Sequence, residues 1–344
     1  MDPDLLLADL TAGKTAALAR AISAVENGRP GFERLLAGVH RSLGRARRIG
    51  ITGPPGAGKS TLVERLVLAY RAAGLRVGVV AVDPTSPFTG GALLGDRIRM
   101  ESVALDDGVY IRSMATRGSL GGLSTSTREV SDLLDAARFD RILIETVGVG
   151  QSELDVARMA DSTVLVLVPE SGDGIQTLKS GVMEAADIFA INKADRPGAD
   201  KLRREIEITL GIRRGNAYRN MPAHHGREGL RGTTPAEPGR SDAWDHPVVL
   251  TVAVKGEGID VLIAALDGHH QWLARSGSLE ERRRQRMLER TREVVERAAR
   301  RWMWRETQAE QMISERLDQV VEGTLSPYDV ATEVLDSLKQ GARL

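Results

Sequence analysis

The feature that most restricts how this chain can fold is a glycine-rich stretch, "GITGPPGAGKSTL", at residues 50–62. Within it, Gly53-x-x-x-x-Gly58-Lys59-Ser60 follows the apolar run "RIGIT" and precedes "TLVERLVLAYRAAG", whose apolar residues recur at helical spacing. Strand, tight turn and helix in that order favour a phosphate-binding loop over a glycine turn with a chance lysine. A turn of this kind supplies backbone N–H groups and the positive end of a helix dipole, which together suit a polyphosphate. Gly53, Gly56 and Gly58 keep side chains away from the phosphates. Lys59 is placed to neutralise the β and γ oxygens and Ser60 to ligate Mg²⁺. Pro54, Pro55, Ala57 and Thr61 complete the candidate nucleotide-binding loop.

Around this loop, apolar runs alternate with helical patterns from 47 to about 275: "RIGIT", "RVGVVAVD", "GVYIRSM", "DRILIET", "STVLVLVP", "DIFAINK" and "PVVLTVAV" are the candidate strands. Near-continuous apolar strands alternating with helices predict an α/β fold, a mostly parallel sheet with helices on both faces. Residues 1–45 form a helical extension that reads as two helices broken at "ENGRPG". The domain proper spans 46–276 and contains a long polar loop, 211–247, without periodicity. Residues 277–344 read as a helical appendage. It begins with one long amphipathic helix, and its last helix opens at Ser326 as cap with Pro327 in the first turn.

A phosphate loop does not name its base, and "FAINKAD" bears on that choice. Asn192, Lys193 and Asp195 stand at the end of a predicted strand. Guanine presents N1–H and N2–H₂, two donors that the Asp195 carboxylate can accept together; adenine would leave that carboxylate unpaired at a cost of roughly a few kcal/mol. Between the two motifs lie carboxylates able to manage Mg²⁺ and water. Asp83 ends "VVAVD", Asp96 sits in "GALLGDRIRM", and Glu145 ends "RILIET", with Gly148 three residues on. Each could bind Mg²⁺ directly or through water, or serve as a strand-end cap. Gln151 either orients a water or opens a helix.

Composition narrows the field. The 344 residues carry 47 basic and 47 acidic side chains, so no global field favours nucleic acid or an anionic membrane, and neither is an expected partner. Without cysteine there are no disulfides, thiolate metal sites or thiol nucleophiles. Asp2 and Asp4 stand where a signal peptide would be basic, and no apolar run approaches a membrane span, so the cytoplasm is expected. The helix from 279 to 305 holds ten arginines and five glutamates, yet Met287, Val294, Ala298 and Trp302 mark an apolar stripe. That pattern favours a dimerisation helix over a nucleic-acid contact.

With these residues assembled, the chain resembles the MeaB/ArgK family of P-loop GTPases, G-protein chaperones of adenosylcobalamin-dependent acyl-CoA mutases. The resemblance runs over most of the chain and rests on "GPPGAGKSTL", "VVAVDPTSP", "GGALLGDRIRM", "MATRGSLGGLS", "ETVGVGQSE", "NKAD" and "KGEGID". It implies that Lys59, Ser60, Asp83, Asp96 and Glu145 serve GTP or GDP and Mg²⁺. Switch loops would lie around Asp96, at "ETVGVGQ" and at 169–181. It further implies slow intrinsic hydrolysis, stimulation by a mutase partner and a homodimer formed through the C-terminal helices. Where the family's second base loop has serine before alanine, this chain has Val252. Contact with guanine O6 must then come from backbone N–H groups, those of Ala253 and Val254. Two rival readings are a GTPase that delivers a metal to another enzyme and a P-loop kinase acting on a transport protein.

Overall fold

The computed structural model describes residues 2–84, 100, 102–116, 125–146, 152–170, 182–213 and 243–341. Chain contacts divide it into two compact units, Met1–Glu280 and Glu281–Leu344. In the first unit the elements run α1 (Pro3–Thr11), α2 (Thr15–Glu26), α3 (Phe32–Val39), β1 (Arg47–Thr52), α4 (Lys59–Ala72), β2 (Val77–Pro84) and β3 (Val109–Thr116). Then come α5 (Thr125–Ala136), β4 (Arg141–Thr146), α6 (Ser152–Met159), β5 (Ser162–Leu167), α7 (Val182–Ala185), β6 (Ile188–Ile191), α8 (Ala199–Arg213), β7 (Val248–Leu250) and α9 (Ile259–Ser276). The long helix α10 (Ser278–Glu306) opens the remainder, followed by α11 (Ala309–Val321) and α12 (Pro327–Gly341).

All seven candidate strands form, and they join one sheet of order β3-β2-β4-β1-β5-β6-β7 in which every pairing is parallel. The apolar runs are continuous because both faces are covered. Along β2, Val80 and Val82 pack beneath the N-terminal helices, while Val77 and Val79 join α4 and α9 on the other side. On β5, Val164 and Val166 face α4 and α9, while Leu165 and Leu167 face α8 with Phe189 and Ile191.

Two boundaries differ from the sequence reading. Residues 1–45 hold three helices rather than two, because Gly13 at φ +79° ends α1 and a second helix restarts at Thr15. These helices are no loose extension: Leu10, Ile22 and Leu35 are fully buried and pack with α5 and the sheet. Helix α8 runs to Arg213, into the stretch 211–247 expected as a polar loop, of which 214–242 lie outside the described residues. The last residues of that stretch are anchored: Trp244 Nε1 donates to the Asp187 carbonyl at 2.8 Å and its ring lies 4.8 Å from that of His269.

In the second unit Ala309, Val330 and Val334 are buried together, with Met303, Met312 and Ile313 packed against them. The Ser326 cap forms as expected. Its Oγ accepts from Asp329 N, and Asp329 Oδ2 accepts from Ser326 N at 3.0 Å and Ser326 Oγ at 2.7 Å.

Candidate functional site

Strand β1 sends its connection toward β2 on one side of the sheet, whereas β5, β6 and β7 build outward on the other. The crevice at the carboxyl ends of the strands, where connections part in opposite directions, is where open α/β sheets hold ligands. The glycine-rich loop, Glu145, Asn192 and the turn after β7 all come to this edge.

The loop's shape follows from its glycines. Gly53 sits at φ +140° with its Cα so close to β5 that a Cβ would lie 2.1 Å from the Val166 carbonyl oxygen. Gly58, at φ +85°, precedes the first turn of α4, and a Cβ there would lie 2.4 Å from Asn192 Nδ2. Lys59 and Ser60 open α4 and are both buried. Lys59 Nζ donates to the carbonyls of Gly53 at 2.8 Å and Pro54 at 3.0 Å, which holds the ammonium at the loop. Pro55 and Gly56 are exposed at its tip, Ala57 is buried beneath, and Thr61 is half-buried on α4.

Glu145 lies on β4 beside Ile51 in register and is buried. Ser60 Oγ donates to Glu145 Oε1 at 2.7 Å, so the hydroxyl at the helix start and the carboxylate at the strand end meet. Thr146 Oγ1 donates to Thr52 Oγ1 at 3.1 Å, tying the same two strand ends.

Asn192 and Lys193 both join the candidate base side to the phosphate loop. Asn192, buried after β6, donates from Nδ2 to the Ala57 carbonyl at 2.8 Å. Its Oδ1 accepts from Ala253 N at 3.0 Å and Thr251 Oγ1 at 3.3 Å. Lys193 adopts φ +56°, uncommon for a residue with a side chain, and its Nζ donates to the Gly56 carbonyl at 2.9 Å. Asp195 is about half exposed, with Lys255 Nζ 3.3 Å from Oδ2. Val254 is exposed on the turn after β7. Glu170, within the expected switch segment 169–181 of which 171–181 lies outside the described residues, pairs with Arg196, whose guanidinium holds the carboxyl below its ordinary range.

Lys59, Ser60, Glu145, Asn192, Lys193, Asp195, Ala253 and Val254 therefore gather at one edge of the sheet. Asp83 belongs to the carboxyl end of β2, paired in register with Ala115. Asp96, Gly148 and Gln151 lie outside the described residues. The sequence reading missed Arg65, on α4, whose Nε and Nη2 donate to the Ala253 and Val254 carbonyls at 3.0 and 2.7 Å. It also missed Thr251. Arg65 stands in no motif and only the folded chain brings it to the turn, whereas Thr251 directly precedes Val252 and was passed over although the base loop begins beside it.

A glycine-rich loop opening a helix, linked to the turn after β7 and with the Asp195 carboxylate beside that turn, is a candidate nucleotide site. Comparison with known proteins names its kind: residues 18–308 match the family model described as methylmalonyl Co-A mutase-associated GTPase MeaB. The chain belongs to the MeaB GTPase family. It is a P-loop GTP hydrolase. A putative GTPase of Pyrococcus abyssi is 46% identical over 85% of this chain and 83% of its own length. The mouse methylmalonic aciduria type A homolog, described as mitochondrial, is 35% identical over 98% of this chain and 79% of its own. A crystal structure of an LAO/AO transport system kinase superposes with a TM-score of 0.66 at 27% identity, covering 98% of this chain and 97% of that one. Among the described residues of this MeaB-family GTPase, no helix is long and apolar enough to cross a membrane.

Proposed function

We propose that this GTPase is a nucleotide-gated chaperone of an adenosylcobalamin-dependent acyl-CoA mutase, gating cofactor loading or protecting the loaded enzyme. The observation that carries the reading is the likeness to the mouse methylmalonic aciduria protein over 98% of the chain, joined to the family's association with methylmalonyl-CoA mutase. In this reading the loop from Gly53 to Thr61 holds the phosphates, Lys59 neutralises charge that develops on the transferred phosphoryl group, and Asp195 accepts the donors of guanine.

Ser60 and Glu145 fit Mg²⁺, since a hydroxyl and a carboxylate 2.7 Å apart at the loop are the oxygen donors a hard cation takes directly or through water. Asp83 and Asp96 would complete that set. When bound, the ion would neutralise phosphate charge; orientation of the nucleotide falls to the backbone N–H groups of the loop and to Lys59. The state of the γ-phosphate would order the switch segments and so report to the mutase.

The second unit would serve as the dimer surface. Along α10, Trp302, Trp304, Val294 and Val295 are exposed, and the helix has no buried residue. Apolar exposure of this kind suits a helix partner.

The decisive experiment is GTP hydrolysis by the purified protein, alone and with each adenosylcobalamin-dependent mutase of the same organism, with ATP as control. Stimulation by one mutase is the expected result and names the client. Hydrolysis unchanged by every mutase would refute the chaperone role while leaving the GTPase intact. Phosphate transfer from ATP to a transport protein would favour the kinase reading, to which the likeness to the LAO/AO kinase structure points.

A further inference from the structure

In the guanine reading, the turn after β7 meets the purine with backbone groups, since Val252 and Val254 have no side-chain donor and the Lys255 ammonium is paired with Asp195. Its backbone is heavily committed. Val252 N donates to the Glu257 carbonyl, Lys255 N to Val252 and Gly256 N to Ala253. Ala253 N donates to Asn192 Oδ1 at 3.0 Å, so this N–H, one of the two expected for guanine O6, is already spent within the protein. Among the described residues, the N–H of Val254 is the one donor in 252–256 without an acceptor, and its residue is 67% exposed.

What aims that N–H is the opposite end of its own peptide unit. A trans peptide is planar, with its C=O and N–H pointing in opposite directions. No cis bond occurs among the described residues. The carbonyl in the same plane as Val254 N–H is that of Ala253, and it accepts from Arg65 Nε at 3.0 Å. Arg65 Nη2 holds the next carbonyl, Val254 O, at 2.7 Å. One rigid guanidinium thus fixes two consecutive peptide planes and leaves the Val254 N–H facing away from it. The charge on the arginine also polarises the bonded amide and strengthens the donor at its far end.

We infer that Arg65 is a positioning residue for purine specificity: by clamping the Ala253 and Val254 carbonyls from α4, it presents the Val254 N–H to the 6-oxo group of guanine. Arg65 stands on the helix that begins with Lys59, so the element that starts at the phosphates also sets the base-reading turn. The inference rests on the guanine reading above and adds to it which N–H reads O6 and what holds it there.

The test compares dissociation constants of GDP and of the diphosphate of 2-aminopurine riboside, which keeps the 2-amino group but lacks both the oxygen at C6 and the hydrogen on N1; the lost N1–H contact with Asp195 is common to all variants and cancels when their ratios are compared. The constants are measured for the wild type, Arg65→Met and Arg65→Lys, with ADP as a reference. Wild type should prefer GDP, and Arg65→Met should lower the ratio of the two constants by about tenfold, through weaker GDP binding with little change for the analogue. Arg65→Lys, whose single ammonium cannot span both carbonyls in one plane, should fall between. If Arg65→Met shows no cooperative melting, Arg65→Lys carries the same comparison. An equal loss for both nucleotides would mean that Arg65 only supports the fold, and would overturn the inference while leaving guanine recognition standing. Wild type binding GDP and ADP alike would overturn the guanine reading itself, and the inference with it.

Discussion

Replacing Asn192 with alanine removes the amide that couples the phosphate loop to the turn after β7. Three buried partners lose their bond at once: the Ala57 carbonyl at 2.8 Å, the Ala253 N–H at 3.0 Å and the Thr251 hydroxyl at 3.3 Å. Each buried group left unpaired costs about 1–3 kcal/mol, and a water admitted to the vacated space re-pairs some of them, so the net loss is about 2–4 kcal/mol. For a unit of this size that corresponds to a fall in melting temperature of roughly 5–10 °C. GDP affinity should fall as well, because Ala57 belongs to the loop and Ala253 to the base turn. Thr251→Val supplies the graded comparison: it removes only the longest of the three bonds and should cost under about 1 kcal/mol. Differential scanning calorimetry, with GDP titrations on the same preparations, measures both quantities. If Asn192→Ala melts within about 1 °C of wild type and binds GDP within about twofold, or if Thr251→Val proves equally damaging, the bridging argument is wrong.

Gly53→Ala forces a Cβ to 2.1 Å from the Val166 carbonyl at φ +140°, whereas Gly56→Ala, at φ +75°, meets nothing within 4 Å. Thermal melts should show the first losing about 3 kcal/mol or more and the second about 1 kcal/mol. Asp195→Asn should weaken GDP binding by roughly 10–100-fold and improve binding of xanthosine diphosphate, whose C2 oxygen can accept from the new amide; competition titrations against ADP check this. The bonds from Ser326, first its hydroxyl and then its backbone N–H, hold the Asp329 carboxyl below the ordinary carboxylate range. A depressed folded value means that this cap stabilises α12 above the unfolded value near pH 4 and is lost as the pH falls through the folded one. Helicity of the C-terminal region, followed by circular dichroism, should therefore drop in acid below about pH 4, and Asp329→Ala should remove that component.

The parts of this protein that could be read without coordinates are those whose signals are local. An apolar run followed by Gly53, Gly58, Lys59 and Ser60 carries its own strand, turn and helix start. Seven apolar runs were therefore enough to foresee a parallel sheet covered on both faces. The Ser326 cap and Asp195 at a strand end were legible for the same reason. The break at Gly13 was missed although its signal was present, because the apolar stripe of the first helix runs on when only periodicity is followed. Sheet order, and with it the meeting of Ser60 with Glu145 across 85 residues of sequence, is a different matter. So is the Asn192 bridge to Ala57 and Ala253, and so is the clamp of Arg65 on the turn 188 residues away. By itself the sequence determined the class of fold, the phosphate loop and the chemistry available at it. Only the tertiary structure decided which groups satisfy one another and which N–H remains for a ligand, since a hydrogen bond requires donor and acceptor within about 3 Å and chain order does not encode that distance.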